Sequence, residues 1–107
     1  MDLFDDKIEW ITMEFMPNGG KYIGKSNVFD KYFPSMLSNF KDFHANADEY
    51  LCLENDRVLV VGKYIITSKK TSQEYYVPFA HLYHIKNQKI TKFRQYTDTA
   101  KIQKILF

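Results

Sequence analysis

The segment FAHLYHIKNQKITKFRQYTD, residues 79–98, decides the fold. Two alternating runs flank Asn87-Gln88, the pattern of two antiparallel strands closed by a two-residue turn. A half-buried hairpin normally turns apolar residues inward and polar residues outward. This one sets rings and titratable groups on the same side. If Lys86 pairs with Lys89, the register puts His81 opposite Arg94, Tyr83 opposite Lys92 and Phe79 opposite Tyr96, with Asp98 one step beyond. Such a mixture is expected of a pocket wall. The register depends on the turn, and a one-residue slip brings Phe93 and Gln95 to that side instead. The alternate face, which carries Ala80, Leu82 and His84, reads as an outer face or a subunit contact.

Working outward, period two continues through 43–54, 57–67, 74–86 and 89–97, and the short polar links between these runs fit successive antiparallel hairpins. Before them, KIEWITMEF (7–15) reads as a strand with Ile8 and Trp10 on one face, and MPNGGKYIG supplies loop residues. Val28, Phe29, Tyr32, Phe33, Met36, Leu37 and Phe40 then recur at helical spacing, with Ser26 as a plausible N-cap. Pro34 predicts a kink or break near Tyr32 and Phe33, because proline lacks a backbone donor and crowds the preceding turn. TAKIQKILF closes the chain as a short helix that can lay Ile102, Ile105 and Leu106 on the sheet. The order predicts a single α+β domain over residues 1–107, a curved antiparallel sheet with helices on one side.

A chain of 107 residues is long enough to bury a core without a metal or disulfide, and its apolar and charged fractions are those of an ordinary globular protein. The 17% aromatic content is high, which leaves rings to line a cavity or an interface. With a net charge of +2 and scattered lysines, no nucleic-acid footprint is expected. A lone Cys52 rules out an internal disulfide and is expected to be a small buried residue. Neither a metal site nor a cofactor is predicted from motif spacing. MDLFDDKIEW carries acids where a leader needs bases, and no stretch is apolar enough for a membrane span, so the default expectation is a cytoplasmic protein.

Among the candidate site residues, Asp98 has two readings. Surrounded by rings it becomes a general base or acid with a raised pKa; next to the terminal helix it caps that helix. His81 can share a proton or bond a ligand oxygen, or can be a satisfied wall residue. Arg94 can neutralise an anion or snorkel at a cavity mouth. Tyr22, Tyr64, Tyr83 and Tyr96 offer hydroxyls, while Trp10, Phe33 and Phe79 offer apolar walls.

GKYIGKSNVFDKYF (20–33), the GKYIITSKKTSQ hairpin and FAHLYHIKNQKITKFRQYTDTAKI together resemble the SnoaL-like branch of the nuclear-transport-factor-2 and ketosteroid-isomerase superfamily over nearly the whole chain. The most specific part is FAHLYxIxxxKIxxFRQYTDTA. The resemblance implies a cone-shaped sheet wrapped by helices, an apolar cavity and a homodimer. It assigns Trp10, Tyr22, Phe33, His81, Tyr83, Arg94, Tyr96 and Asp98 to the cavity. It further implies either a bound small apolar, oxygen-bearing molecule with cofactor-free isomerase, cyclase or hydratase chemistry, or a non-catalytic binding or dimerisation module. Family members usually start with a long helix, whereas here only MDLFDD precedes the IEW strand; an N-terminal helix missing or truncated would expose apolar surface for a partner subunit to cover.

Overall fold

A computed structural model of the chain describes residues 3–106; Met1, Asp2 and Phe107 lie outside the described residues. In chain order it comprises β1 (Phe4–Ile11), β2 (Lys21–Ile23), a π-helical stretch (Asn27–Tyr32) running into α1 (Phe33–Leu37), β3 (Asp42–Leu53), β4 (Arg57–Thr67), β5 (Glu74–Lys86), β6 (Lys89–Thr97) and α2 (Thr99–Leu106). The six strands form one curved, unclosed sheet in the order β2-β1-β6-β5-β4-β3. The α+β class is as expected, with one correction: the sheet is mixed, because β1 runs parallel to β6. β2 forms within the stretch expected to be loop; three residues between glycines carry too little alternation to announce a strand.

Asn55, Asp56, Asn87 and Gln88 all have positive φ (61°, 54°, 51° and 65°), so both hairpin turns have the left-handed backbone that matches strand twist. Alternation then puts Val60, Tyr64, Ile66, Val77, Phe79, His81, Phe93 and Gln95 on one buried face. Gly62 lies among them because a Cβ there would sit 2.0 Å from the Asn46 carbonyl oxygen. The shifted β3 register between Ala47 and Glu49 brings that backbone in close.

The helical segment covers this inner face. It changes form where the break is expected: the π-helical stretch gives way to α1 between Tyr32 and Phe33, and the Phe33 amide donates to the Val28 carbonyl, five residues back. A wider turn before Pro34 relieves both the missing donor and the ring's clash with the carbonyl four residues earlier. Ser26 occupies the N-cap position but makes no side-chain capping bond. Val28, Tyr32 and Met36 bury against the sheet, as do Ile102 and Ile105 of α2. Cys52, expected to be buried, is exposed on the edge strand β3. No helix among the described residues is long and apolar enough to cross a membrane.

Candidate functional site

Between the helical segment and the inner face of the sheet lies a cavity of about 330 Å³. Its floor is a cross-strand pair: Trp10 of β1 and Phe93 of β6 are in register and stack with centroids 3.8 Å apart. Phe33 closes on Trp10 edge-to-face from α1, at 5.2 Å. Tyr32, Met36 and Leu37 complete the roof, and Phe43 and Ala45 of β3 form a side wall. A second, more open hollow of about 380 Å³ continues along the inner face past Phe79 and Tyr50, sharing Ala45, His81 and Tyr83 with the first.

Three polar side chains from three strands meet in the cavity wall. The register pairs His81 with Gln95, and Tyr64 reaches them from β4. Gln95 Nε2 donates to the Tyr64 hydroxyl oxygen at 2.7 Å, and that hydroxyl lies 2.5 Å from His81 Nε2. Because the tyrosine oxygen accepts from Gln95, its own proton is free to point at His81. Nε2 is then the acceptor and the imidazole is neutral, with its proton on Nδ1. Burial pushes the His81 pKa down to about 4, so the ring is uncharged at neutral pH. Burial raises the Tyr64 pKa against the opposing pull of the Gln95 bond, so the phenol too keeps its proton.

A second polar point adjoins this relay. Thr12, just past β1, accepts the Gly20 amide at 3.1 Å and faces the Tyr32 hydroxyl, whose pKa burial raises to about 12. Burial also raises that of Tyr83. Among the described residues, no charged side chain lines the cavity. Nor does any group of three or more His, Cys, Asp or Glu come together there in a way that could hold a metal ion. The arrangement can hydrogen-bond an oxygen function within aromatic walls and can exchange a proton between neutral groups.

Residues 1–93 match the SnoaL-like domain family. The chain belongs to that family. This SnoaL-like chain also superposes on solved structures of low sequence identity. TerC, crystallised with polyporic acid, has a TM-score of 0.89 at 20% identity, with 97% of this chain and 80% of that one covered. An NTF2-like protein from Burkholderia thailandensis gives 0.82 at 25% identity, covering 98% and 80%. A SnoaL-like polyketide cyclase described as putative, from Jannaschia, gives 0.80 at 13%, covering 97% and 73%. No curated protein matches the chain by sequence.

Of the residues expected in the pocket, Trp10, Phe33, Tyr64, His81 and Tyr83 line the cavity. Phe79 lines the adjoining hollow and stacks on His81 at 4.1 Å. Tyr22 lies behind Tyr32, its hydroxyl donating to the Asn18 carbonyl at 2.6 Å. Arg94 and Tyr96 require a correction. Lys86 does pair with Lys89, but the ladder shifts between His84 and Ile85, so that His84 meets Lys92, Leu82 meets Arg94 and Ala80 meets Tyr96. Both side chains therefore project from the outer face. Asp98 also lies outside the cavity: it is exposed, and its Oδ1 accepts the Lys101 amide at 3.1 Å in the first turn of α2.

The extra residue is Thr91, whose hydroxyl donates to the His84 carbonyl at 3.2 Å. It takes Gln95 and Phe93 inward. The signal for it was present in the sequence: Ile90 and Phe93 are apolar at odd spacing, and both can face the core only if one residue between them is bulged out. Thr12 carried no comparable signal.

Proposed function

We propose that this SnoaL-like chain binds a small, uncharged, mostly apolar molecule bearing an oxygen function, with its oxygen at the Tyr64–His81–Gln95 relay. The observation carrying this reading is a hydrogen-bonded neutral relay set among stacked rings with no charged side chain beside it. A carboxylate or phosphate would enter such a site unpaired, at a high desolvation cost. The neighbour crystallised with polyporic acid and the neighbour described as a putative polyketide cyclase lend the reading support.

The chemistry that suits the site is proton transfer beside a carbonyl, as in an isomerisation, cyclisation or hydration, without a cofactor. As the ligand's oxygen enters, the Tyr64 hydroxyl turns from His81 Nε2 to polarise it, which frees Nε2 to accept the α-proton. An imidazole with a pKa near 4 is a weak base, so the matching substrate is an activated ketone whose enol is readily reached. A second reading, a binding module without turnover, is favoured by the position of Asp98 as a helix cap rather than a cavity carboxylate.

2-Tetralone, a neutral ketone with activated α-protons, tests both. Calorimetry should show binding, and NMR in D2O should show α-proton exchange accelerated by the protein. His81→Phe should cut that exchange by about 100-fold, the low end of general-base contributions. Absence of binding overturns the small-molecule reading; binding without exchange selects the non-catalytic module. We further propose a homodimer formed through the outer face of the sheet, which exposes Leu51, Leu53, Tyr76 and Tyr96.

A further inference from the structure

The relay stands where the two hollows of the inner face meet. Two cross-strand rows, Phe93–Tyr83–Val58 and Gln95–His81–Val60, each run from β6 through β5 to β4. Phe93 and Gln95 line only the first cavity, Val58 and Val60 only the second hollow, and Tyr83 and His81 line both. β5 is thus a ridge between two continuous hollows and not a wall that ends one. Three neighbouring strands are about 10 Å across, so a molecule lying over both is longer than a pair of fused rings. The second hollow also has the character of the first. Among the described residues, no charged side chain lines it, and its bed includes Val60 and Phe79, which are 7% and 4% exposed. Small side chains keep it open: Ala45 and Ala47 of β3 border it, and both positions are exposed, so the packing of the chain itself sets no limit on their size.

We infer that the two hollows are one two-lobed site, and that its ligand is an elongated neutral molecule with an apolar group on each side of its oxygen function. This rests on the small-molecule reading above and adds the shape of the ligand. With the oxygen at the relay, one arm lies between the Trp10–Phe93 stack and the helical segment. The other passes Tyr83 and lies on Val58, Val60 and Phe79. Each hollow alone, at about 330 and 380 Å³, stands at the lower end of the range of ligand pockets, about 300 to 1,000 Å³. The second arm also removes from water an apolar bed that the folded chain leaves open.

Two neutral ketones that differ by one phenyl ring on the far side of the carbonyl separate the outcomes by calorimetry at neutral pH: 2-acetylnaphthalene and benzyl 2-naphthyl ketone. Wild-type protein should bind the longer ketone about tenfold more tightly, as for a ring of which about half leaves water. Ala47→Trp, which fills the second hollow from an exposed position on β3, should bring that ratio close to one. In the wild type, nuclear Overhauser contacts from the added phenyl ring should reach the Val58 and Val60 methyl groups, a check that needs no variant. Equal affinities in the wild type, a gain that survives Ala47→Trp, or phenyl contacts confined to residues outside the hollow each overturn the inference and leave the first cavity standing. So does an Ala47→Trp chain that turns from dimer to monomer while the two ketones bind the wild type alike, which gives the hollow to a second copy. If 2-tetralone binds and neither of the larger ketones does, the two-lobed shape has failed; if none of the three binds, the small-molecule reading itself has failed.

Discussion

A buried imidazole leaves a mark on the pH dependence of folding. The His81 pKa falls from 6.5 to about 4 on burial, so across that window the unfolded chain holds the proton and the folded chain does not. Stability contributed by the neutral ring is therefore present above pH 6.5 and lost progressively as the pH falls toward 4. The slope approaches about 1.4 kcal/mol per pH unit, one proton's worth. Urea unfolding of the wild type and His81→Phe at pH 7.5, 6 and 5 should show the wild type losing ground relative to the variant at each step; parallel curves would mean that the ring takes up its proton inside as readily as in the unfolded chain. At Asp98 the expectation has the opposite character. Removing the cap with Asp98→Ala should cost about 1 kcal/mol of stability and leave 2-tetralone affinity within about twofold, because its carboxylate meets the α2 amides and not the cavity. His81 and Tyr64 were identifiable from residue type and alternation, since inward parity on β4 and β5 does not depend on the final hairpin. Arg94 and Tyr96 were misplaced by one residue of register, and Asp98 could not be resolved between cap and base because both roles belong to the same position.

The element that decides the site is the bulge in the β5–β6 hairpin. Thr91 is the residue that the ladder leaves over between Ile85 paired with Ile90 and His84 paired with Lys92. Deleting it keeps every other pair and removes only the hydroxyl contact to the His84 carbonyl. Deleting Arg94 instead, three residues on, would turn either Phe93 or Gln95 out of the core. The Thr91 deletion should therefore lower stability by about 1 kcal/mol, and the Arg94 deletion by about 3 kcal/mol or more, measured as urea midpoints. Equal losses would mean that the bulge itself, and not the parity it sets, holds the hairpin. The ends of the strands from Arg57 onward are legible to the residue because Asn-Asp and Asn-Gln turns bracket alternation that only the Thr91 bulge breaks. β1 begins at Phe4, three residues before the start that alternation predicts, since two successive aspartates give no alternation and pairing with β6 supplies the ladder. The π-helical stretch was legible only as a disturbance near Pro34, because spacing fixes which side chains face the sheet and not how wide the turn must open.

At the scale of the molecule, the outer face of the sheet has a charge pattern as well as an apolar one. Arg57, His84 and Lys92 form one cross-strand row at the turn end of β5 and β6, with Arg94 beside it; the row ends on Glu9 of β1, 3.9 Å from Lys92, and the cations outnumber it. Burial and these three neighbouring cations lower the His84 pKa. At the opposite end of the same face, Asp42 and Glu74 stand across Thr67. Leu51, Leu59, Leu82 and Tyr96 lie between the two ends, a band with apolar area to bury. Two such faces related by a two-fold axis can set the basic end of one copy against the acidic end of the other, with the apolar bands in contact; a parallel arrangement would oppose like charges. The homodimer proposed here should accordingly persist at moderate ionic strength and weaken as salt screens the end contacts, since the Debye length falls from about 10 Å at 0.1 M to about 3 Å at 1 M. Tyr96→Glu places a carboxylate within the apolar band, at a residue 45% exposed in the single chain, so folding tolerates it while association does not. Light scattering during size-exclusion chromatography should give twice the 12.8 kDa chain mass for the wild type and the single-chain mass for the variant, with the same circular dichroism. A monomeric wild type would remove the outer face as a self-interface. A variant that stays dimeric would move the interface elsewhere, the exposed inner side of β3 around Tyr50 being the next place to test.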